Sequence, residues 1–345
     1  IYAYLKVGGF MGRHRKKTQP RLKGFVLTLL FAILLIVGSI ISNQFPDEVN
    51  NYIEENLNIP ANSSNSITVN TINKTTVSAD SKLQIYYFDV GQADSSLIIA
   101  DGKTMLIDAG NNEDGPLLVQ YIQALGISRI DYLVGTHPHE DHIGGLDDII
   151  NNFEIGKIYM PDVITTTATF QSVLESISAK GLSITRCEIG DTFGLGDGIC
   201  TIMSVENEEK SNLNLNSIVI HLTYGEKTFL FMGDAEKENE EKVSWPHVDV
   251  LKVGHHGSDT SSSEKFLEAV KPETAIISVG SNNNYGHPSQ TTIDNLEKLG
   301  TKIYRTDEVG TILLTSDGKT YNIQTFLTAL DGNPSTAQKN TITEN

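Results

Sequence analysis

Residues 136–145 read Thr136-His137-Pro138-His139-Glu140-Asp141-His142-Ile143-Gly144-Gly145, and they follow a strand-like apolar run. Pro138 disfavours the α conformation at His137, so we expect an extended backbone there, in which residues two apart point the same way. His137 and His139 can then converge on one metal ion, while Asp141 and His142 can reach a second ion from the turn that follows. The segment therefore predicts a metal site.

Other polar residues follow predicted strands in the same way. Asp108 comes directly after an apolar strand, as Asp234 does, and His255 and His256 follow the predicted strand Val248–Val253. Strands alternate with predicted helices along most of the chain. Side chains in the loops after strands are how an α/β scaffold assembles one site from distant parts of a sequence.

The pattern His-x-His-x-Asp-His at the end of a strand resembles the signature of the metallo-β-lactamase superfamily of metal-dependent hydrolases. The resemblance implies an α/β (α+β) domain with the four-layer αβ/βα metallo-β-lactamase sandwich, and it extends over residues 83–326. Within the superfamily, three motifs look like the metallohydrolase domain of ComEC-type competence proteins: FDVGQADSSLI (88–98), THPHEDHIGG (136–145) and LKVGHHGS (251–258).

The resemblance also implies a set of ligands for two divalent metal ions. It assigns His137 and His139 to the first ion, and it assigns Asp141, His142 and His256 to the second. Asp234 bridges the two ions, although an Asp after a strand is by itself also typical of a helix N-cap. A hydroxide shared by the ions would attack the substrate. The ligand set favours zinc and also accepts manganese or iron.

Further roles are implied for residues around the ligands. His255 would contact a phosphate or protonate the leaving oxygen, and Asp141 is placed with it among the catalytic residues. Ser258 and His287 would hydrogen-bond the phosphate, and Asn214 is placed with them among the substrate contacts. His287, which precedes a proline, is equally suited to fixing its loop. Asp108 would orient a ligand histidine through a hydrogen bond.

One feature departs from the superfamily pattern. Many members supply another histidine to the first metal just before the strand that carries Ser217, but residues 211–216 contain none. Either the Asn214 side chain or a water completes the first site, or that site is weaker. His221, inside the following strand, is interpreted as structural.

The charge of the chain is unevenly distributed. Residues 1–24 contain seven Lys/Arg and no Asp/Glu, whereas the rest holds 19 Lys/Arg against 43 Asp/Glu, a net charge of −24. An acidic surface repels phosphate backbones and disfavours tight nonspecific binding to nucleic acid. It does not exclude nucleic acid as a substrate, because two divalent cations reverse the sign of the field within the site.

The sequence also predicts how the chain is organised outside the hydrolase domain. Residues 1–24 form a basic cytoplasmic segment, of which 1–10 precede Met11 and are set aside as non-native or part of a longer product. Residues 25–42 are apolar and uncharged, which is typical of either a transmembrane anchor or a cleaved signal segment. Residues 43–82 form a polar linker and 327–345 a disordered tail.

The expected location follows from the apolar segment. We expect a single-pass protein of the cell membrane with an extracytoplasmic catalytic domain, or a secreted protein if the segment is cleaved. An exported domain would permit a disulfide between Cys187 and Cys200, and two buried free thiols are the alternative.

These features together predict an exported dinuclear metallohydrolase. Its substrate would be a phosphodiester, either nucleic acid (DNA or RNA) or a teichoic-acid-like cell-wall polymer, and no obligate protein partner is inferred. One alternative is hydrolysis of a carbonyl substrate such as a β-lactam or thioester. The other is a non-catalytic binding domain on the same fold.

Overall fold

The computed structural model describes residues 82–208 and 211–326, so the predicted segments before residue 82 and after residue 326 lie outside it. The strands within these residues are β1 (Leu83–Tyr87), β2 (Ser96–Ala100), β3 (Lys103–Ile107), β4 (Arg129–Val134), β5 (Glu154–Tyr159), β6 (Ile184–Thr185), β7 (Thr192–Leu195), β8 (Gly198–Ser204), β9 (Val219–Tyr224), β10 (Lys227–Phe231), β11 (Val250–Lys252), β12 (Thr274–Ile277), β13 (Lys302–Arg305), β14 (Thr311–Ser316) and β15 (Tyr321–Phe326). The α-helices are α1 (Gly115–Ala124), α2 (Glu140–Ile143), α3 (Leu146–Asn152), α4 (Ala168–Ala179), α5 (Lys237–Glu240), α6 (Glu264–Val270), α7 (Gln290–Lys298) and α8 (Thr306–Val309). Two 3-10 turns lie at Leu213–Asn216 and Gly254–Gly257.

Two mixed sheets have the same plan. The first has the order β15-β14-β1-β2-β3-β4-β5-β6, and the second has the order β13-β12-β11-β10-β9-β8-β7. In each sheet, antiparallel hairpins give way to parallel strands joined through helices, at β3-β4-β5-β6 and at β10-β11-β12-β13. The carboxyl ends of the parallel strands share one edge of their sheet, where polar loops can collect.

Asp101-Gly102 between the apolar runs 96–100 and 103–107 predicts a hairpin, and the hairpin of β2 and β3 shows how this local sequence sets the register. Asp101 and Gly102 both have positive φ, of 49° and 80°, as a two-residue turn with the twist of the flanking strands requires. The strands pair from Ser96 opposite Ile107 to Ala100 opposite Lys103. The hairpin delivers Asp108 to the end of β3.

Three apolar clusters show that the sheets and helices are layered. One cluster lies between the first sheet and helices α1, α3 and α4, and it includes Leu106, Leu118 and Phe170. A second cluster joins the facing sides of the two sheets. A third packs the outer side of the second sheet against α6 and α7. Helix, sheet, sheet and helix layers follow from these contacts, as the metallo-β-lactamase sandwich predicts.

The Gly144-Gly145 pair ends the segment 136–145, called here the histidine loop, and packing requires both glycines. A Cβ atom on Gly144 would lie 2.2 Å from the backbone carbon of Asn111, and one on Gly145 would lie 2.5 Å from the carbonyl oxygen of Ala109. The Gly144 N–H donates to the carbonyl of Gly110 at 2.9 Å. Two loops that carry polar site residues can therefore touch backbone to backbone.

One expectation differs from the structure, and one pair of alternatives is decided by it. The strand predicted over Val248–Val253 is only three residues long, Val250–Lys252. Just before it, the Asp249 side chain accepts hydrogen bonds from the Thr228 N–H and hydroxyl at 2.8 and 2.9 Å. The cysteines are free and buried, and Cys200 faces Phe193 across the β7–β8 hairpin. Of the two alternatives for Cys187 and Cys200, the structure therefore has the buried free thiols and not the disulfide.

The membrane segment predicted at residues 25–42 lies outside the described residues. Among residues 82–208 and 211–326, no helix is both long enough and apolar enough to cross a bilayer.

Candidate metal centre

The loops after several parallel strands of both sheets meet at one place. Asp108 follows β3, the segment from Thr136 to His139 follows β4, Asp234 follows β10 and His256 follows β11. Contacts between the two sheets close the site: the Ile218 N–H donates to the carbonyl of Thr136 at 3.0 Å. Polar residues far apart in the sequence are thereby brought together in a buried position.

Asp108 fixes the orientation of His142. One oxygen of the Asp108 carboxylate accepts from the Thr136 N–H at 2.8 Å. The other accepts from the Thr136 hydroxyl at 2.8 Å and lies 2.8 Å from His142 Nδ1. All three residues are buried. With Nδ1 engaged by a carboxylate, His142 Nε2 faces the centre of the site, as in a metal-ligating histidine.

Four ligand atoms converge around His142 Nε2. The Asp141, His142, Asp234 and His256 side chains each offer one atom, and these atoms lie within 4.8 Å of one another. His142 Nε2 is 3.2 Å from Asp234 Oδ1, and His256 Nε2 is 3.3 Å from Asp141 Oδ2. Ligands about 2.1 Å from a tetrahedral zinc lie roughly 3.4 Å apart, so this spacing fits such an ion.

Unsatisfied buried atoms support the same fit. His142 Nε2, His256 Nε2 and Asp234 Oδ1 are buried and have no hydrogen-bond partner among the described residues. A buried polar atom without a partner costs free energy, so native proteins almost always satisfy such atoms. A divalent cation between imidazole and carboxylate ligands would satisfy all three atoms at once.

Asp234 faces two sets of histidines with its two oxygens. Oδ1 lies 3.2 Å from His142 Nε2 and 3.8 Å from His256 Nε2. Oδ2 lies 3.9 Å from His137 Nε2 and 3.7 Å from His255 Nε2. One carboxylate thus stands between two groups of potential ligands, which is the arrangement that a bridging role requires.

The group around His137 is less complete. His137 Nε2 lies 3.0 Å from His139 Nδ1, so the two side chains converge as their spacing predicts. Neither histidine belongs to a group of three or more ligand atoms within 4.8 Å in the described part of the chain. Asn214 is buried nearby with its Oδ1 unsatisfied, and the structure also puts His255 on this side of Asp234. Asn214 belongs to residues 211–216, which lack a histidine, and its Nδ2 lies 3.3 Å from His255 Nε2.

The charges of the cluster shift its pKa values in opposite directions. Burial alone would lower the pKa of His142, but Asp234, Asp108 and Asp141 outweigh it and hold that pKa well above its ordinary value. Burial acts likewise on His256, yet Asp234 and Asp141 raise its pKa to about 10. Against burial, His142 and His256 lower the pKa of Asp141 to about 2. A raised pKa of these histidines means that a proton and a cation compete for the same ring nitrogens.

A buried ion pair stands behind His256. The Lys252 ammonium donates to both oxygens of Asp94, at 2.9 and 2.8 Å, and both side chains are buried. Asp94 Oδ1 lies 3.3 Å from His256 Nδ1, which is also 3.0 Å from the carbonyl oxygen of Ser278. The ion pair and the carbonyl together fix the imidazole so that Nε2 points at Asp141 and Asp234.

His255 is held at the edge of the site by an unusual backbone and three neighbours. Its φ is 50°, in the left-handed region that non-glycine residues rarely adopt and that is often found at functional sites. Nδ1 lies 2.9 Å from the Thr260 hydroxyl and 3.3 Å from Glu236 Oε1. Asn214 Nδ2 donates to the same Glu236 oxygen at 3.2 Å. His255 Nε2 is thereby directed towards Asp234.

The remaining predicted substrate contacts differ in their placement. Ser258 is buried, and its hydroxyl is engaged with the Thr260 hydroxyl at 3.1 Å within its own loop. The His287 ring lies 5.5 Å from the His255 ring, while the His287 backbone is held on both sides by Asn283. His221 is in β9 and forms no part of these contacts.

Three residues of the site could not be assigned a role from local sequence. Lys252 had a detectable signal, because a lysine within an apolar run is unusual in a buried parallel strand. Asp94 lies within the FDVGQADSSLI motif, where nothing nearby indicates its partner. Glu236 had no signal, since its proximity to His255 arises only from the folding of two distant loops.

The family of the chain agrees with this fold and site. The model of the metallo-beta-lactamase superfamily matches residues 88–281, and the chain belongs to this superfamily. The match spans the candidate metal centre from Asp94 to His256.

Known relatives narrow the class. The chain is 31% identical over 251 residues to ComE operon protein 3 of Bacillus subtilis (strain 168), covering 66% of this chain and 32% of that protein. It is 29% identical over 241 residues to Competence protein ComA of Neisseria gonorrhoeae, covering 68% and 32%. These names confirm the predicted resemblance to ComEC-type competence proteins. The chain spans about a third of the length of these relatives.

A solved structure with a similar fold is the metallo-beta-lactamase fold protein YhfI from Bacillus subtilis. The similarity covers 65% of this chain and 96% of that one, with 12% identity and a TM-score of 0.45.

Proposed function

We propose that this metallo-β-lactamase-fold protein is a dinuclear metal-dependent phosphodiesterase that acts on nucleic acid or on a cell-wall phosphodiester polymer. The observation that carries the proposal is the position of Asp234, whose two oxygens face two different pairs of histidines. Asp141, His142 and His256 would hold one ion with it, and His137 and His139 would hold the other. Two divalent cations, of which zinc is the first candidate, would polarise a phosphoryl group and lower the pKa of a bound water.

The residues around the ions would supply orientation and a proton. His255 Nδ1 is engaged by Thr260, and its Nε2 lies 3.7 Å from Asp234 Oδ2 and 3.3 Å from Asn214 Nδ2, where it would protonate a leaving oxygen. Asn214 keeps a buried Oδ1 without a partner, which suits either an ion or a substrate hydroxyl. His287 lies beside His255 and can contact a phosphate. Ser258 is occupied by Thr260, so its proposed contribution is to fix the loop that carries His255.

The phosphodiester part of the proposal is supported by the resemblance of three sequence motifs to the metallohydrolase domain of ComEC-type competence proteins, and one relative is named Competence protein ComA. Export of the domain and attachment to a membrane through residues 25–42 are part of the same proposal, and the apolar segment in the sequence supports them. The proposed location is the outer side of the cell membrane.

The test is an assay of the full chain in detergent with zinc and with manganese. We expect turnover of bis-(4-nitrophenyl) phosphate and of single-stranded DNA or poly(glycerol phosphate), and none of nitrocefin. His142→Ala should lose bound metal and lower turnover by about 100-fold or more, since it removes a ligand directly. His221→Ala is the matched control and should stay within a few-fold.

The outcome can contradict the proposal in two ways. Turnover of nitrocefin alone would favour a carbonyl substrate. Protein that contains no transition metal by elemental analysis, and that loses no stability on chelation, would indicate a binding domain instead.

A further inference from the structure

A row of aromatic rings leads from the candidate metal centre to the surface. The rings of His255 and His287 lie 5.5 Å apart, and the rings of His287 and Tyr285 lie 5.8 Å apart with an interplanar angle of 15°. Tyr285 is nevertheless 74% exposed. A large ring that is stacked on one neighbour and still open to solvent is suited to receive a second flat ring.

The loop that carries Tyr285 is held in place by one side chain. Asn283 Oδ1 accepts from the backbone N–H groups of Tyr285 and His287, at 3.1 and 3.0 Å. Asn283 Nδ2 donates to the carbonyl groups of Gly280 and His287, at 3.0 and 2.6 Å. A loop that is already ordered loses little conformational entropy when a ligand binds.

The same loop is connected to the histidine pair. The Ser289 N–H donates to the carbonyl of Gly257 at 2.8 Å, immediately after His255 and His256. A Cβ atom on Gly257 would lie 2.6 Å from Pro288, so the two segments pack directly against each other. These contacts therefore fix the position of the Tyr285 loop relative to the centre.

Two lysines in the segments around the histidine pair are already bound to acceptors within the protein. Lys252 is buried against Asp94, and the Lys237 ammonium donates to the carbonyl of Asp259 at 2.5 Å. The chain after residue 24 carries a net charge of −24, which repels the other phosphates of a polymer. Stacking of a base on an aromatic ring adds about 1–3 kcal/mol to the binding of a polyanion without a further cation, and it tolerates any sequence.

These observations point to one substrate class. We propose that Tyr285, backed by His287, is a stacking subsite for a nucleobase next to the phosphodiester at the metal centre, so that the substrate is single-stranded nucleic acid. In a duplex the base is already stacked and paired, and a polyol phosphate has no ring to offer. This inference rests on the proposed phosphodiesterase function.

The experiment compares a short oligodeoxyadenylate with an abasic oligomer of the same length and charge, on the full chain loaded with zinc. We expect Tyr285→Ala to lower kcat/KM for the oligodeoxyadenylate by about 5- to 100-fold, the effect of losing one stacked base. The same variant should change kcat/KM for the abasic oligomer by less than about twofold, because this oligomer has no base that could stack on Tyr285. Tyr285→Phe keeps the ring and should stay within about threefold of the wild type on both.

A matched control is Ile199→Ala, which removes another exposed large side chain, in the β7–β8 hairpin. This variant should leave kcat/KM for both oligomers unchanged. If Tyr285→Ala weakens turnover of poly(glycerol phosphate) as much as that of the oligodeoxyadenylate, the residue serves a cell-wall polymer and the proposed base subsite is wrong.

Binding provides a readout that does not depend on turnover. Fluorescein-labelled oligomers are titrated onto the chelated protein and followed by anisotropy. The wild type should bind the oligodeoxyadenylate more tightly than the abasic oligomer, and Tyr285→Ala should lose this difference. Equal binding of the two oligomers by the wild type would overturn the subsite, even if a phosphodiester is cleaved. Absence of any phosphodiester turnover would overturn the proposed function while leaving the binding comparison valid.

Discussion

Lys252 and Asp94 show how a site depends on residues that bind neither metal nor substrate in the proposed scheme. Both side chains are buried, and the pair lies directly behind His256. A buried ion pair is not by itself a sign of stability, because desolvation of both charges opposes their attraction. Because the Lys252–Asp94 pair lies next to His256, it also fixes the His256 ring, and the lysine balances part of the negative charge of the carboxylates.

We predict that Lys252→Met destabilises the protein and weakens metal binding. Asp94 would lose its lysine and keep only the contact with His256 Nδ1 at 3.3 Å, and breaking the buried pair costs about 3–5 kcal/mol and lowers the melting temperature by roughly 10 °C. The affinity for zinc should fall by about 10- to 100-fold, because His256 loses its support. Differential scanning calorimetry and a competitive chelator titration measure the two effects.

The control for this variant is Lys298→Met, which removes the cation of the exposed pair with Glu264. Screening by solvent makes such a pair nearly irrelevant, so neither melting temperature nor metal affinity should change. Equal losses in both lysine variants would show that the Lys252 effect is not specific to the centre.

At the scale of elements, the site depends on close approaches between loops. The histidine loop and α2 can meet residues 109–112 only because Gly144 and Gly145 have no side chains. The 3-10 turn Gly254–Gly257 follows the shortened strand β11 and holds His255 and His256 with positive φ. The left-handed backbone turns the two imidazoles in different directions, one towards Asp141 and one towards Asn214.

We predict that Gly144→Ala lowers the free energy of unfolding by about 1–3 kcal/mol, because the new methyl group overlaps backbone atoms that cannot give way. The same change moves the loop that begins at Asp108, so zinc affinity should also fall. Gly194→Ala is the control, since a Cβ atom there meets nothing within 4 Å. Urea unfolding of the two variants compares them, and equal stability would contradict the packing argument.

At the scale of the whole molecule, two similar sheets face each other, and each contributes part of the centre. The first sheet supplies Asp108 and the histidine loop, and the second supplies Asp234, His255 and His256. Binding of protons or cations at the centre therefore joins residues of the two sheets and affects how firmly the sheets are held together. Stability should then depend on pH in a way that metal changes.

For the metal-free protein, we predict that stability falls as pH rises from about 6.5 to 8.5. The pKa values of His142 and His256 are raised in the folded state, that of His256 to about 10. Each histidine stabilises the fold fully below its unfolded pKa of about 6.5 and loses that contribution as pH rises towards the folded pKa. The slope is about 1.4 kcal/mol per pH unit for each histidine.

Thermal melting of the chelated full chain across this range measures the slope. Zinc-loaded protein should show little of it, because the cation takes the place of the protons. A chelated protein whose melting temperature is constant or rises between pH 6.5 and 8.5 would contradict the charge arrangement around His142.

Much of this architecture is predictable from the sequence because it depends on local patterns. The hairpin at Asp101-Gly102 and the strands before Asp108 and His137 follow from turn residues and apolar periodicity. The spacing of His137, His139, Asp141 and His142 is sufficient to indicate a metal site. Each of these features depends on neighbours within a few residues.

The sequence by itself determined the superfamily, the strand-end position of the ligands and the missing histidine in residues 211–216. Only the tertiary structure decided that Asp234 divides its oxygens between two histidine pairs, that Lys252 and Asp94 support His256, and that Tyr285 continues the row of rings from His255. These contacts join residues from different loops and different sheets. Local periodicity carries no information about such distances, since they are set by how the two sheets pack against each other.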